Sequence, residues 1–313
     1  MEDAQNIEFW LGRLGEKIPA KFTWDALTEG ASGSSTYRLH LPHSDVVLKA
    51  TNSSSPNYMI ERARREVGFY RNSSLAEPLQ IPQLLGSFDE SDVGCAILLK
   101  AYEPMKVASQ WNRQDYLEIV DHLARFHAIF WNKIEALADC TWLRPLSEEP
   151  GIECCSPLPV WQKLREAHPE ALAEFTEKQL EETLDLATNL LAELKSLPLT
   201  LCHNDFHAGN LLTEDGRILW ADWQEVGPGY GVNDLSFLYQ RAEIPPDREV
   251  VRAYQHRLEI ETSQTIPFEA IWRGVAASEL WTRMVHWPNY LINGSADRVH
   301  FHIYRIKELL NGI

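Results

Sequence analysis

Cationic side chains are in short supply. Among 313 residues, 29 Lys and Arg stand against 45 Asp and Glu, and the formal net charge is −16. Proteins that grip nucleic acid or an anionic membrane neutralise phosphates with a surplus of Lys and Arg. The deficit argues against both partners. It is compatible with a cationic small substrate, and equally with an acidic surface kept for solubility. Cysteine is sparse too: Cys95, Cys140, Cys154, Cys155 and Cys202 are odd in number, irregular in spacing and free of any C-x-x-C pair. That argues against a disulfide framework and a structural zinc site, and the adjacent Cys154 and Cys155 read as an inert loop pair rather than a redox couple. No run of 18 apolar residues occurs and no apolar signal region opens the chain. A membrane span is therefore not expected, and a reducing cytoplasm is the expected location. Internal repeats and long low-complexity linkers are missing, while the length suffices for one large domain or two modest ones.

What is present concentrates between Leu201 and Leu238. The apolar run Leu199-Thr200-Leu201-Cys202 reads as a strand entering a loop that carries His203, Asp205 and Asn210, with four residues between the last two. A second apolar run, Ile218-Leu219-Trp220-Ala221, then delivers Asp222. Such a loop, strand and turn can gather two carboxylates and an amide around one point. Phosphoryl transfer from a nucleotide needs an oxygen to orient the attacking hydroxyl and hard oxygen ligands for magnesium on the phosphates. Asp205 suits the first task, Asn210 and Asp222 the second. Asp and Asn beside Gly also build ordinary turns, but a plain turn does not account for the upstream features below. His203 reads as an organiser of the loop backbone rather than a proton carrier.

The residues His203-Asn204-Asp205-Phe206-His207-Ala208-Gly209-Asn210 and Asp222-Trp223-Gln224 resemble the catalytic loop and metal-binding turn of aminoglycoside phosphotransferase-like and choline-kinase-like enzymes, and Asp222-Trp223-Gln224 followed by Gly227-Pro228-Gly229 and Asp234-Leu235 is similar to their ecdysteroid-kinase-like branch as well. The resemblance implies an α+β, bilobal protein-kinase-like fold. A small antiparallel-sheet lobe with one helix would span residues 1–102, and a larger, mostly helical lobe residues 103–313. It implies an ATP- and Mg2+-dependent small-molecule kinase with a hydroxyl acceptor, drawn from aminoglycosides, choline or ethanolamine, sugars and other alcohols. It also implies that Asp234, in Asn233-Asp234-Leu235, bonds to the catalytic-loop backbone and holds its shape; on its own, an acid in a helix's first turn is favoured by the macrodipole.

Upstream, a strand over Trp24–Thr28 leads into Glu29-Gly30-Ala31-Ser32-Gly33-Ser34-Ser35, where small residues let backbone amides approach phosphate oxygens. Gly30, Ser32, Gly33 and Ser34 are candidate nucleotide contacts; no Walker A lysine follows, which disfavours a P-loop. Strands over Thr36–Leu41 and Val46–Ala50 read as a pair, with Lys49 inside the second. A strand lysine is commonly an edge residue facing solvent. The helical run Tyr58–Arg71 supplies Glu66 among many basic neighbours, and the resemblance assigns Lys49 and Glu66 to the pair that positions the α- and β-phosphates, Glu61 being the competing choice. Two further strands, Gln80–Phe88 and Val93–Leu99, run into Lys100-Ala101-Tyr102, where the resemblance puts the adenine against the Lys100 carbonyl and the Tyr102 amide. Many family members carry an acid where Lys100 stands.

Helices are predicted over Trp111–Lys133, Val160–Ala167, Pro169–Leu194, Asp247–Glu259, Phe268–Trp287 and Ala296–Asn311, with an opening helix over Asn6–Lys17. Gly227-Pro228-Gly229-Tyr230-Gly231 reads as a turn before a helix beginning near Asn233. Trp272, Trp281, Trp287 and Tyr290 fit a helical core better than a substrate wall, although an aromatic face attracts cationic groups; Glu269 and Glu279 are the acids that would serve an amine. Three rival readings fit less well. A protein kinase lacks its A-P-E segment here and has Asp-Trp-Gln in place of Asp-Phe-Gly. A catalytically silent nucleotide-binding scaffold does not require the full set of lysine, base and metal ligands. A metal hydrolase on His203, Asp205 and His207 lacks further clustered ligands. The sequence carries no mark of an oligomeric state.

Overall fold

The computed structural model describes residues 2–15, 22–27, 34–42, 44–146, 157–173 and 175–312. They form two compact units: Met1–Gln110 with Leu137–Arg144 and His203–Gly227, and Trp111–Ala136 with Pro145–Cys202 and Pro228–Ile313.

The first unit is built on five antiparallel strands: β1 (Thr23–Ala26), β2 (Ser35–His40), β3 (Asp45–Asn52), β4 (Leu84–Glu90) and β5 (Gly94–Lys100), in the order β1-β2-β3-β5-β4. Alternation sorts the two faces. Tyr37 and Leu39 of β2, Val46, Leu48 and Ala50 of β3, and Ala96 and Leu98 of β5 pack in one core with Ile7, Trp10 and Leu11 of helix α1 (Glu2–Arg13). Those three helix residues recur at the spacing that puts them on one stripe. Burying each contributes about 1.5–3 kcal/mol. Lys49 therefore points away from that core, with Thr36 and Ile97 as its cross-strand partners. Helix α2 (Asn57–Arg71) buries Ile60, Arg65, Glu66, Val67, Phe69 and Tyr70. It stops at Asn72, whose backbone N–H and Nδ2 both donate to the Gly68 carbonyl. A three-stranded sheet of Glu103–Pro104, Leu211–Glu214 and Arg217–Trp220 completes the unit. Its hairpin turns on Asp215 and Gly216, both at positive φ (52° and 78°), the backbone a two-residue Asp-Gly turn requires.

The second unit is mostly helical. Helix Arg113–Ile129 starts from a capping box in which Asn112 accepts from the Asp115 backbone and Asp115 from that of Asn112. The predicted helix over Pro169–Leu194 begins later, at Glu177. The Thr176 hydroxyl accepts from the Gln179 N–H at 3.2 Å and the Gln179 side chain accepts from the Thr176 N–H at 2.9 Å, a reciprocal cap that starts the helix there. The predicted turn at 227–231 is also corrected: Gly227–Tyr230 is extended and helix Gly231–Ala242 follows directly. Helices Arg248–Thr262, Phe268–Val285 and Ala296–Gly312 lie close to their predicted spans, but the expected run to Trp287 breaks at His286 and resumes as Trp287–Leu291. Opening helix α1 lies a turn earlier than predicted, at Glu2–Arg13. Among the described residues, no helix is long and apolar enough to cross a membrane.

Candidate active site

The loop after Leu199–Cys202 is shaped by its own polar side chains. His203 is wholly buried; its Nδ1 accepts from the Asp205 N–H at 3.3 Å, which leaves Nε2 to donate to the Ala221 carbonyl at 3.0 Å. That fixes a neutral tautomer and ties the loop to the strand end that carries Asp222. Asn204 occupies left-handed backbone (φ 61°), which asparagine tolerates better than most residues. Its amide donates to the carbonyls of Glu225 at 3.0 Å and Gly227 at 3.3 Å. His207 accepts from the Gly209 N–H at 3.1 Å, and its Nε2 lies 3.8 Å from Asp205 Oδ1. Asn210 Nδ2 donates to the Asp205 carbonyl at 2.8 Å and lies 3.4 Å from Asp205 Oδ2, so the oxygen of Asn210 that could hold a metal is its own Oδ1. The Ala221 N–H donates to the Asn210 carbonyl at 2.9 Å, so Asn210 and Asp222 sit side by side at the open end of the hairpin. Stacked rings floor this region: Phe206 on Trp220 at 4.2 Å and Phe69 on Trp223 at 4.0 Å.

Asp222 also has left-handed backbone (φ 64°), a conformation that costs an ordinary residue about 1–2 kcal/mol and persists where surrounding contacts over-determine it. Those contacts converge on its carboxylate. Lys49 Nζ donates to Oδ1 at 2.7 Å and to the Glu66 carboxylate at 2.8 Å, and Gln224 Nε2 donates to Oδ2 at 3.4 Å. Burial alone would lower the Lys49 pKa, but the charges of Asp222 and Glu66 outweigh it and hold the ammonium above its usual value. Burial pushes the Glu66 carboxyl up against the pull of Lys49, whereas at Asp222 the lysine wins and the carboxyl stays below its ordinary range. One cation between two carboxylates leaves the cluster one negative charge in excess, on hard oxygens that suit magnesium. Of the two candidate glutamates on α2, the structure brings Glu66 to the lysine, while Glu61 accepts from Asn57 Nδ2 at 3.3 Å on the exposed side.

The remaining sequence candidates fall as follows. Gly30, Ser32 and Gly33, like Cys154 and Cys155, lie outside the described residues. Ser34 shares a 2.8 Å hydroxyl contact with Thr51 beside Lys49 and Glu66, in a small cavity that also takes in the Cys95 thiol, which burial pushes up to about 12. Lys100 ends β5, its ammonium paired with Glu214 and 5.0 Å from the Tyr102 ring centroid. In the second unit, Asp234 is fully buried in the first turn of its helix, 3.2 Å from Nε2 of His127, whose Nδ1 meets the Tyr254 hydroxyl at 2.8 Å. The acids considered for an amine are both held by arginines: Glu279 by Arg283 and Arg305 at 2.8 and 2.9 Å, Glu269 by Arg248. Trp272 is faced by the Arg248 guanidinium at 5.1 Å, and Trp287 is buried with Arg298 over its ring at 5.3 Å. Tyr290 is 64% exposed.

Sequence reasoning passed over Arg62, Arg65 and Glu225. Arg65 Nη1 donates to the Gln224 carbonyl at 2.8 Å and lies 3.6 Å from the Glu225 carboxylate, which Arg62 also pairs. The one available signal was the cluster of arginines around Glu66 on the predicted helical run Tyr58–Arg71.

Comparison with known proteins follows the same line. The profile of the APH family, described as a phosphotransferase enzyme family, matches residues 23–272. No curated protein sequence matches the chain. Among solved structures, the GDP complex of wild-type aminoglycoside 2'-phosphotransferase-IIIa is similar with a TM-score of 0.64 at 11% identity, covering 100% of both chains. A microcompartment-associated aminopropanol kinase gives 0.60 at 14% identity, covering 98% of this chain and 95% of that one. Choline kinase from Cryptosporidium parvum Iowa II gives 0.55 at 12%, covering 99% and 94%. At such identities the likeness shows a shared fold, the α+β, kinase-like class expected from the sequence.

Proposed function

The chain belongs to the phosphotransferase enzyme family and is a small-molecule kinase, and from that premise we propose that it moves the γ-phosphoryl group of ATP onto a hydroxyl of an amine-bearing alcohol. The observation that carries this reading is the lysine between two carboxylates: Lys49 bonded at once to Glu66 and Asp222, residues distant in sequence. A strand lysine facing solvent would have no reason to be so held. In this reading Lys49 releases Asp222 when phosphate oxygens arrive, while Glu66 keeps the ammonium aimed at them. Asp205 accepts a hydrogen bond from the acceptor hydroxyl and aligns it with the γ-phosphorus, where positioning supplies much of the rate.

Asn210 Oδ1 and the Asp222 carboxylate are the residues that would hold magnesium, and their oxygen character and adjacency fit it. Magnesium bound there would neutralise negative charge on the phosphates. Ser34, with Gly30, Ser32 and Gly33, is proposed to line the phosphates, and the Lys100 carbonyl and Tyr102 amide to meet the adenine. His203 and Asp234 are proposed as supports of the catalytic loop. For the acceptor, the excess of 45 acids over 29 bases is compatible with a cationic molecule, and the similar kinases named for aminoglycosides, aminopropanol and choline support the choice of an amine-bearing one.

The test is ADP release measured across amino-alcohols, aminoglycosides and neutral sugars, with the phosphate ester identified by phosphorus NMR. Acceptor-dependent release with an amine-bearing alcohol is expected. Clear nucleotide binding without turnover on any acceptor, or phosphate appearing on protein instead, would overturn the proposal.

A further inference from the structure

Both oxygens of the Asp222 carboxylate are approached by groups tethered to helix α2. Oδ1 receives Lys49, which Glu66 of the helix holds in place. Oδ2 is met by Gln224 Nε2 at 3.4 Å, and the backbone carbonyl of that same Gln224 accepts from Arg65 of the helix at 2.8 Å. Arg65 is 6% exposed and Glu225 8%. The guanidinium spans the Gln224 carbonyl and the Glu225 carboxylate, and Arg62 reaches the same carboxylate one turn earlier along the helix. The far side of the turn is held by the Asn204 amide on the carbonyls of Glu225 and Gly227, and Asn204 directly precedes Asp205.

We propose that Arg65 and Glu225 are positioning residues for the phosphoryl transfer: they lock the turn at 222–227 to helix α2, so the helix that orients Lys49 also sets where Asp222 presents its carboxylate. This rests on the reading of Asp222 as a metal ligand. A left-handed aspartate needs neighbours that deny it other conformations, and a planar guanidinium that engages a carbonyl and a carboxylate together does so where an ammonium cannot. Residues that orient a metal ligand commonly change metal affinity or activity by about 10–100-fold when removed.

The experiment compares the full-length wild type with Arg65→Met, Arg65→Lys and Glu225→Gln. Calorimetry of AMP-PNP binding with and without Mn2+ is paired with steady-state kinetics on the best acceptor. Arg65→Met should leave metal-free AMP-PNP affinity and acceptor KM near wild type. The affinity gain conferred by Mn2+, and kcat, should each fall by at least about tenfold. Arg65→Lys should lose the same two quantities in part, and Glu225→Gln should move them in the same direction by less. A variant with a lowered melting temperature but an unchanged Mn2+ effect and kcat would overturn the proposal, since a merely structural arginine behaves that way. If Arg65→Met does not fold, the nearly isosteric Glu225→Gln is judged by the same criterion. Asp222→Asn separates the two layers. Loss of the Mn2+ effect there with none in the Arg65 variants sinks the positioning role alone, whereas a retained effect sinks the metal-ligand reading and the positioning role with it.

Discussion

Lys49→Met removes the one cation between two carboxylates, and the structure sets what that should cost. The lysine side chain is 14% exposed and that of Glu66 only 5%, with the two groups 2.8 Å apart. Breaking a buried pair by deleting one partner leaves the other charge uncompensated, at about 3–5 kcal/mol. Asp222, 27% exposed, keeps contact with water, so most of the loss falls on Glu66. Burial already pushes the Glu66 pKa up against the pull of Lys49; without the lysine it rises further. A carboxyl with a folded pKa above its unfolded value of about 4.3 binds its proton more tightly in the native state. Its contribution to stability is therefore whole below about 4.3 and is lost as pH rises through the folded pKa. The variant should be about 3–5 kcal/mol less stable than wild type near neutrality, with the deficit shrinking as pH falls toward the unfolded pKa. Glu66→Gln in the same background should recover much of it. Urea denaturation followed by tryptophan fluorescence across that range is the assay. A deficit under about 1 kcal/mol, or one indifferent to both pH and Glu66→Gln, would refute the account.

Three further outcomes are expected. Asp205→Asn should lower kcat by about 10²–10⁴-fold while nucleotide affinity measured by calorimetry stays near wild type; retained turnover would remove Asp205 from the reaction. His302 is buried, donates from Nε2 to the Arg283 carbonyl at 2.8 Å and is met at Nδ1 by Arg283 at 3.3 Å, and burial foremost, then that arginine's charge, holds its pKa well below the usual value. The unfolded chain therefore takes up the proton first. Stability should decline as pH falls below about 6.5, by up to about 1.4 kcal/mol per pH unit, and His302→Gln should flatten that slope in a pH series of denaturation curves. In Gly68→Ala, the new Cβ would stand 2.5 Å from the Trp142 indole. Despite alanine's better helix propensity, thermal denaturation should show a loss of about 1–3 kcal/mol, relieved by adding Trp142→Ala.

Much of the architecture was legible because it rests on local pattern. The strands around Lys49 follow two-residue alternation, helix α2 buries Ile60, Val67 and Tyr70 at helical spacing, and the loop residues proposed for catalysis, His203 to Asn210, are contiguous in the chain. Errors came where local cues pointed elsewhere. Gly227-Pro228-Gly229 carries turn residues, yet its backbone is extended, and Gly227 is needed because a Cβ there would lie 2.5 Å from the Arg144 carbonyl. The start of helix Glu177–Leu194 hinged on the Thr176–Gln179 cap rather than on the apolar stripe alone. Glu279, read as a free acid for an amine, is 1% exposed between two arginines, one of which, Arg305, lies on another helix.

The order of residues alone determined which chemical groups this chain carries and which faces of its helices and strands are apolar, because both are properties of short stretches. Tertiary structure decided that Lys49 meets Asp222, that Glu66 rather than Glu61 completes the pair, and that Arg65 grips the turn beyond Asp222. Residues 49 and 222, or 65 and 224, share no local periodicity. Their meeting is set by packing α2 against β3, β4 and β5 and by the close-packed rings of Phe69 and Trp223. Long-range geometry of that kind leaves no imprint on any window of sequence short enough to read.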